Sequence, residues 1–184
     1  MEGEVSGSAH YDNVAPALLG GLQLMLPGRL SEALPIFDEW ILVIHHPGIE
    51  ISTRMARDIL PKSLKLSEAI CYWQRLSGFI HSIYRGDREL ASSILQDNLI
   101  EPYRSSLIPK FALGKKAALE AGALAFSISG SGPACVAIVD SMDKAKLVHA
   151  AVNGAMHYSD APPESLVIKP FSKICRISEP TRNF

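Results

Sequence analysis

The sequence predicts an α+β domain in which helices cover one face of a sheet. Three observations carry that reading. "WILVIHH", residues 40–46, is an unbroken apolar run closed by Pro47-Gly48, as a buried strand requires. "LAFSISGSGPACVAIVD", residues 124–140, holds two further apolar runs joined by a Gly-rich link. The segments between and beyond them repeat their apolar residues at helical spacing, so strands alternate with helices around one Gly-linked pair.

Taken in order, Ser6 or Ser8 is placed to cap a helix over residues 9–19 that Gly20-Gly21 ends. "LQLML", residues 22–26, reads as a short strand stopped by Pro27-Gly28. After the 40–46 strand, Ser52 or Thr53 caps a short helix that stops at Pro61. Helical patterns follow at 67–84, 87–98 and 105–121. The first sets Ile70, Trp73, Leu76, Ser77, Ile80 and Ile83 along one face, a helix-period stripe. A helix at 143–157 and strands at 165–169 and 173–177 complete the pattern.

Composition narrows the function classes. Basic and acidic residues number 18 and 19, with no basic run interleaved with aromatics, so a nucleic-acid surface has no support. No apolar stretch is long enough to span a membrane. Cys71, Cys135 and Cys175 are odd in number, widely spaced and in apolar context. They read as reduced core or sheet residues of a cytoplasmic protein. Adjacent His45 and His46 on a strand would face opposite sides, and no His-Glu-x-x-His spacing occurs, so zinc is not expected.

Chemistry concentrates at four places. In "SISGSGPA", residues 127–134, Gly130 and Gly132 remove side chains where something approaches the backbone. The Ser129 and Ser131 hydroxyls and neighbouring N–H groups could face a phosphate, or the segment is a plain hairpin turn. In "VSGSAHYDNVAPALLGG", His10 and Asn13 would share one helix face with Asp12 a quarter-turn away. Glu2 and Asp12 are oxygen donors suited to Mg²⁺, while helix capping is the competing role for Asp and Asn here. Arg57 in "STRMARDILP" and Arg104 in "EPYRSSLIP" would make a guanidinium pair for a carboxylate, or would be solvated surface arginines.

"EGEVSGSAHYDNVAPALLGG" followed downstream by "ISGSGPA" resembles the homoserine kinases of the GHMP small-molecule kinase superfamily. "PGIEISTRMARDILP" and "EPYRSSLIPKF" resemble segments of the same family in the same order, and only the last fifteen residues or so lack a matching motif. The resemblance implies a ferredoxin-like C-terminal layer over residues 36–184, preceded at 1–35 by a remnant helix and strand of the N-terminal ATP/substrate domain. It implies transfer of a phosphoryl group from ATP, with Mg²⁺, to the side-chain hydroxyl of L-homoserine in threonine biosynthesis. Nucleic acid and membrane are not implied partners, and a homodimer is compatible with it.

Residue by residue, the resemblance gives Glu2 to Mg²⁺, and His10 and Asp12 to the homoserine and γ-phosphate region. It gives Thr53, Arg57 and Arg104 to the substrate and its carboxylate, and Ser129, Gly130, Ser131 and Gly132 to support of the phosphate loop. Asn13 takes the catalytic position where sister kinases carry an Asp, and an amide cannot accept a proton as a carboxylate does. The family's upstream Pro-x-x-x-Gly-Leu-Gly-Ser-Ser loop is not in this sequence. The expectation is therefore a truncated chain, inactive alone. The alternative is a non-catalytic binding or dimerisation module.

Overall fold

The computed structural model describes residues 11–27, 31–157 and 164–168. Within these, residues up to 36 form one compact unit and residues 37–168 a second.

In the smaller unit, helix α1 (Val14–Leu19) leads into an antiparallel pair, β1 (Leu22–Leu24) and β2 (Glu32–Leu34), with Gln23 opposite Ala33. The expected 9–19 helix starts later, because Pro16 lacks an N–H and fits only in a first turn, where that donor has no partner. Tyr11, Asp12 and Asn13 therefore precede this helix, and His10, expected to share a helix face with Asn13, lies outside the described residues. Ser6 and Ser8 lie outside the described residues. The strand expected over 22–26 ends at Leu24.

The larger unit is organised by β3 (Ile41–His46), β4 (Ala125–Ile128), β5 (Cys135–Val139) and β6 (Glu164–Ile168). They form an antiparallel sheet in the order β4-β5-β3-β6, which is the ferredoxin-like arrangement expected. His45 faces Cys135 on one side and Ser165 on the other. Burial alternates along β3 and β5, as it must when one sheet face is covered. The strand expected at 173–177, with Cys175, lies outside the described residues.

Between β3 and β4 run α2 (Thr53–Asp58), α3 (Leu66–Arg85), α4 (Arg88–Ile94), α5 (Glu101–Arg104), a 3₁₀ turn (Ser105–Leu107) and α6 (Phe111–Glu120). Ser52, rather than Thr53, caps α2, its Oγ accepting from Met55 N at 3.1 Å. Gly86 ends α3 in the left-handed region at φ 69°, and Asp87 then caps α4 by accepting from Leu90 N at 2.9 Å. The helix expected over 87–98 stops at Ile94, ahead of Asp97. The single helix expected over 105–121 is broken at Pro109, which pushes Ile108 into extended backbone at φ −108° and ψ 103°.

The helix expected over 67–84 forms, but most of its apolar stripe is uncovered. On α3 only Ser82 and Ile83 are buried, whereas Ile70, Trp73 and Leu76 are exposed. Cys71 is likewise exposed rather than a core residue, while Cys135 is fully buried.

Helix α7 (Met142–Ala155) lies beside α6 on the inner sheet face. Ala145, Val148, Val152 and Met156 pack with Phe111, Ala118, Ile41, Val43, Phe126 and Val139 into one core. The helices meet at Gly114, where a Cβ would overlap the sulfur of the fully buried Met156. A polar group also enters this layer. His45 Nδ1 sits 2.9 Å from Asn153 Oδ1 and 3.2 Å from Ser165 Oγ, and Ser165 Oγ donates to Asn153 Oδ1 at 2.7 Å. Burial holds the imidazole below its ordinary value, partly offset by the Asn153 bond and reinforced by nearby His149 and His46.

Two predictions follow from this packing. Gly114→Ala should lower stability by about 1–3 kcal/mol through overpacking against Met156, read as a reduced denaturation midpoint. Met156→Ala should cost less in that background than in the native chain, because the added methyl takes up part of the space the side chain leaves. For His45, the unfolded chain gains a proton near pH 6.5 and the folded chain only at lower pH. The stability from the neutral imidazole is therefore complete above about pH 6.5 and declines as pH falls below it. Urea midpoints at acidic and neutral pH should differ more for the native chain than for His45→Leu.

Candidate functional site

The larger unit assembles its candidate site from three short pieces of chain. The first is α2, whose buried Ala56 anchors the helix while Thr53 and Arg57 lie exposed on it. The second is α5, fixed in place by a single carboxylate. Asp97 Oδ1 accepts from Leu99 N at 2.9 Å and Ile100 N at 2.8 Å, and Oδ2 from Glu101 N at 3.1 Å. This satisfies donors that a helix start leaves open. Pro102 occupies the first turn, where it costs nothing, and the buried Glu101 carboxylate is paired with Lys115.

The third piece is the turn between β4 and β5. Ser129 N donates to Ala134 O at 2.8 Å, and Gly132 N donates to Ser129 O at 3.0 Å. Gly130 has φ 58° and Gly132 φ 81°, conformations that L side chains rarely adopt. Gly132 also lies against Ile108 and Ile128, whose methyls would be 3.2 and 3.3 Å from an added Cβ. Positive φ at the first central residue of the Ser129–Gly132 turn is the signature of a II′ hairpin turn. The hairpin reading of the sequence is therefore correct. It is also compatible with the anion-facing reading, because among the described residues the N–H groups of Gly130 and Ser131 donate to no partner.

Arg104 joins the three pieces. Its Nε donates to Ala56 O at 3.2 Å, and its Nη1 donates to Gly130 O at 2.8 Å. The guanidinium thus clamps α2 to the Gly-rich turn, and Nη2 has no partner among the described residues. A planar fork can do this where an ammonium cannot, since its five donors have fixed directions. Arg104 is not a solvated surface arginine.

Sequence-predicted residues divide accordingly. Arg104 and Gly130 are in contact, and Thr53 and Arg57 share the helix whose Ala56 carbonyl Arg104 holds. Asp12 and Asn13 belong to the smaller unit, exposed in the turn before α1. Asn13 stands at the N-cap position, yet its side chain makes no capping hydrogen bond, so the capping role is not what fixes it there. Glu2 and His10 lie outside the described residues. Among the described residues no group of three His, Cys, Asp or Glu side chains is placed to hold a metal ion. No described helix is long and apolar enough to cross a membrane. A groove of about 330 Å³ between α3 and α5, lined by Glu68, Cys71, Tyr72, Arg75, Leu99 and Tyr103, contains none of the predicted residues.

Residues 79–157, which include α5, Arg104 and the whole β4–β5 turn, match the family model for the GHMP kinases C terminal. The chain carries a GHMP kinase C-terminal domain. A homoserine kinase from Cytophaga hutchinsonii superposes with a TM-score of 0.85 at 39% identity, over 92% of this chain and 56% of that one. A Listeria monocytogenes chain described as a homoserine kinase gives 0.60 at 24% identity, over 91% and 55%. Leishmania mevalonate kinase (L. major, solved with R-mevalonate) gives 0.55 at 14%, over 80% and 48%, and shares the fold alone. The chain spans about half the length of these structures.

In this GHMP C-terminal domain, the sequence reading missed the Ala56 carbonyl, Asp97 and Ile108. A backbone acceptor leaves no trace in side-chain letters. Asp97 was legible, because Asp four residues before Glu101-Pro102 is an N-terminal helix signal. Losing the clamp should loosen both of its ends. Arg104→Ala should speed amide exchange in 53–58 and 129–134 with a local cost on the order of 1 kcal/mol, while the α6–α7 core stays protected. Arg104→Lys should fall between the two.

Proposed function

We propose that this chain is the C-terminal portion of a homoserine kinase, which moves the γ-phosphoryl group of ATP to the side-chain hydroxyl of L-homoserine. The carrying observation is the Arg104 clamp, which brings two motifs of the sequence resemblance, "STRMARDILP" and "ISGSGPA", to one place. The 39% identity to the Cytophaga enzyme supports the same reading.

On this reading residues 36–184 are the C-terminal domain, and residues 1–35 belong to the ATP/substrate half. Arg104 spends Nε and one Nη1 donor on the fold and offers Nη2 to the substrate carboxylate. Arg57, at the end of α2 near the clamped carbonyl, supplies the second positive charge. Charge-assisted bonds to a carboxylate are the strong class, which suits an amino-acid substrate. Thr53 opens the same helix. Gly130 and Ser131 present free N–H groups to phosphate oxygens, with Ser129 and Gly132 closing the turn behind them. Asn13 positions the hydroxyl and takes no proton. Phosphoryl transfer tolerates this, since its loose transition state depends chiefly on placement and charge stabilisation. Glu2 and His10 are assigned to Mg²⁺ and to the substrate region on the sequence resemblance alone.

The chain should be assayed alone, and with a polypeptide supplying the Gly-Leu-Gly-Ser-Ser half, against homoserine, R-mevalonate and galactose. Turnover is expected only for the combination and only with homoserine. Arg57→Ala and Arg104→Ala should each raise the homoserine KM about ten- to a hundred-fold with little change for ATP, the loss of a bond to a charged group. Preference for another alcohol, or unchanged homoserine kinetics in both variants, would overturn the assignment.

A further inference from the structure

Arg104 reaches its two acceptors from a helix of a single turn. Helix α5 runs only from Glu101 to Arg104, too short to hold its own orientation through backbone bonds. A small roll about its axis would carry the guanidinium, at the end of a long side chain, away from Ala56 O at 3.2 Å and Gly130 O at 2.8 Å. Something outside the helix must set that roll. Asp97 fixes where the helix starts, through Leu99, Ile100 and Glu101 N–H groups gathered at one end. Those bonds act close to the axis and resist turning about it only weakly.

Glu101 supplies the lateral hold. Its side chain is 7% exposed, with Oε1 paired to Lys115 on α6. Oε2 is buried and has no partner among the described residues. The charge lies close behind the Gly-rich turn. Burial, and after it the Glu101 carboxylate, push the Cys135 thiol up to about 12, and Cys135 opens β5 just beyond that turn. Helix α6 is itself seated in the core by Phe111 and Ala118, so Lys115 projects from a fixed support.

A buried carboxylate with one oxygen unmatched is a poor way to stabilise a fold. The desolvation of such a pair can exceed its attraction, and apolar replacement of both partners is often neutral or stabilising. An apolar contact between α5 and α6 is non-directional, however, and would leave the roll free. A charge-assisted bond is directional and fixes it. We infer that Glu101 is a positioning residue for Arg104: its pairing with Lys115 sets the roll of α5, and the pair serves that aim rather than overall stability. On the homoserine kinase reading, on which only this consequence rests, the aim decides where Nη2 meets the substrate carboxylate.

The apolar pair Glu101→Leu with Lys115→Met separates aim from stability. Its urea midpoint should equal or exceed that of the native chain. Amide exchange in 53–58 and 129–134 should nevertheless quicken about ten-fold, while the α6–α7 core stays protected. Glu101→Gln keeps the shape and one acceptor for Lys115, so it should recover most of that protection. With the Gly-Leu-Gly-Ser-Ser half supplied, the apolar pair should raise the homoserine KM about ten-fold, with kcat and the ATP KM nearly unchanged. Native exchange in both segments of a stable apolar-pair variant would overturn the inference. So would a lowered urea midpoint with exchange quickened throughout the core, which would make the pair a plain stabiliser. Faster exchange confined to the two segments, with unchanged homoserine kinetics, would uphold the positioning and count against the homoserine kinase reading instead.

Discussion

The register of β3 against β5 and β6 is the constraint on which the larger unit depends. With His45 opposite Cys135 and Ser165, the residues Ile41, Val43, Cys135, Ala137 and Val139 all turn toward α6 and α7. A slip of one residue would send that whole set to the other face. It would also part His45 from Asn153 and Ser165, leaving a buried polar group without its bonds. Such a polar contact adds little net stability, yet it penalises the alternative register heavily. The same register fixes where β4 must return, and so where its turn meets Ile108 and Arg104.

That turn illustrates how a site can be held without being buried. Gly132 is pinned from below by two isoleucine methyls, and Gly130 from the side by one guanidinium. Neither contact occupies the N–H groups of Gly130 and Ser131. Donors held in this way would need no rearrangement to meet the phosphate oxygens proposed above. The long excursion between β3 and β4 has a purpose on this view. It delivers α2 and α5 to the turn, and the Asp97 carboxylate and the Glu101–Lys115 pair keep the short α5 from fraying.

Much of the fold was legible because burial and backbone agreed locally. "WILVIHH" and the two runs around "SGSG" became β3, β4 and β5, and Ser52 became the cap it advertised. Three errors in helix bounds share one cause, apolar periodicity that runs on through residues that interrupt it. Pro16 shortened α1, Pro109 split the 105–121 segment, and Asp97 drew Leu99, Ile100 and Glu101 into a new helix start. The stripe on α3 is a separate matter. Its spacing was helical as read, but periodicity gives a face and not the partner of that face. At the site, Arg104 and Gly130 were found by motif. Their direct contact through a carbonyl was beyond any reading of side chains.

The order of the strands also dictates how the chain can be made. β3 is the first strand of its sheet to be synthesised, yet both its neighbours, β5 and β6, are encoded far downstream. At about 5–20 residues per second, β3 waits several seconds on the ribosome with both edges open. During that interval "WILVIHH" is a strand-forming apolar segment without a partner, the kind of edge that recruits other chains. Closing so distant a pairing is also slow in its own right, because the loop entropy is lost before the sheet contacts form. The ferredoxin-like order that gives the finished domain a doubly paired central strand thus makes that strand the vulnerable point of a nascent one. Helices α3 and α4, which meet where Gly78 lies against Ile94, are complete by residue 94 and are the part able to fold first.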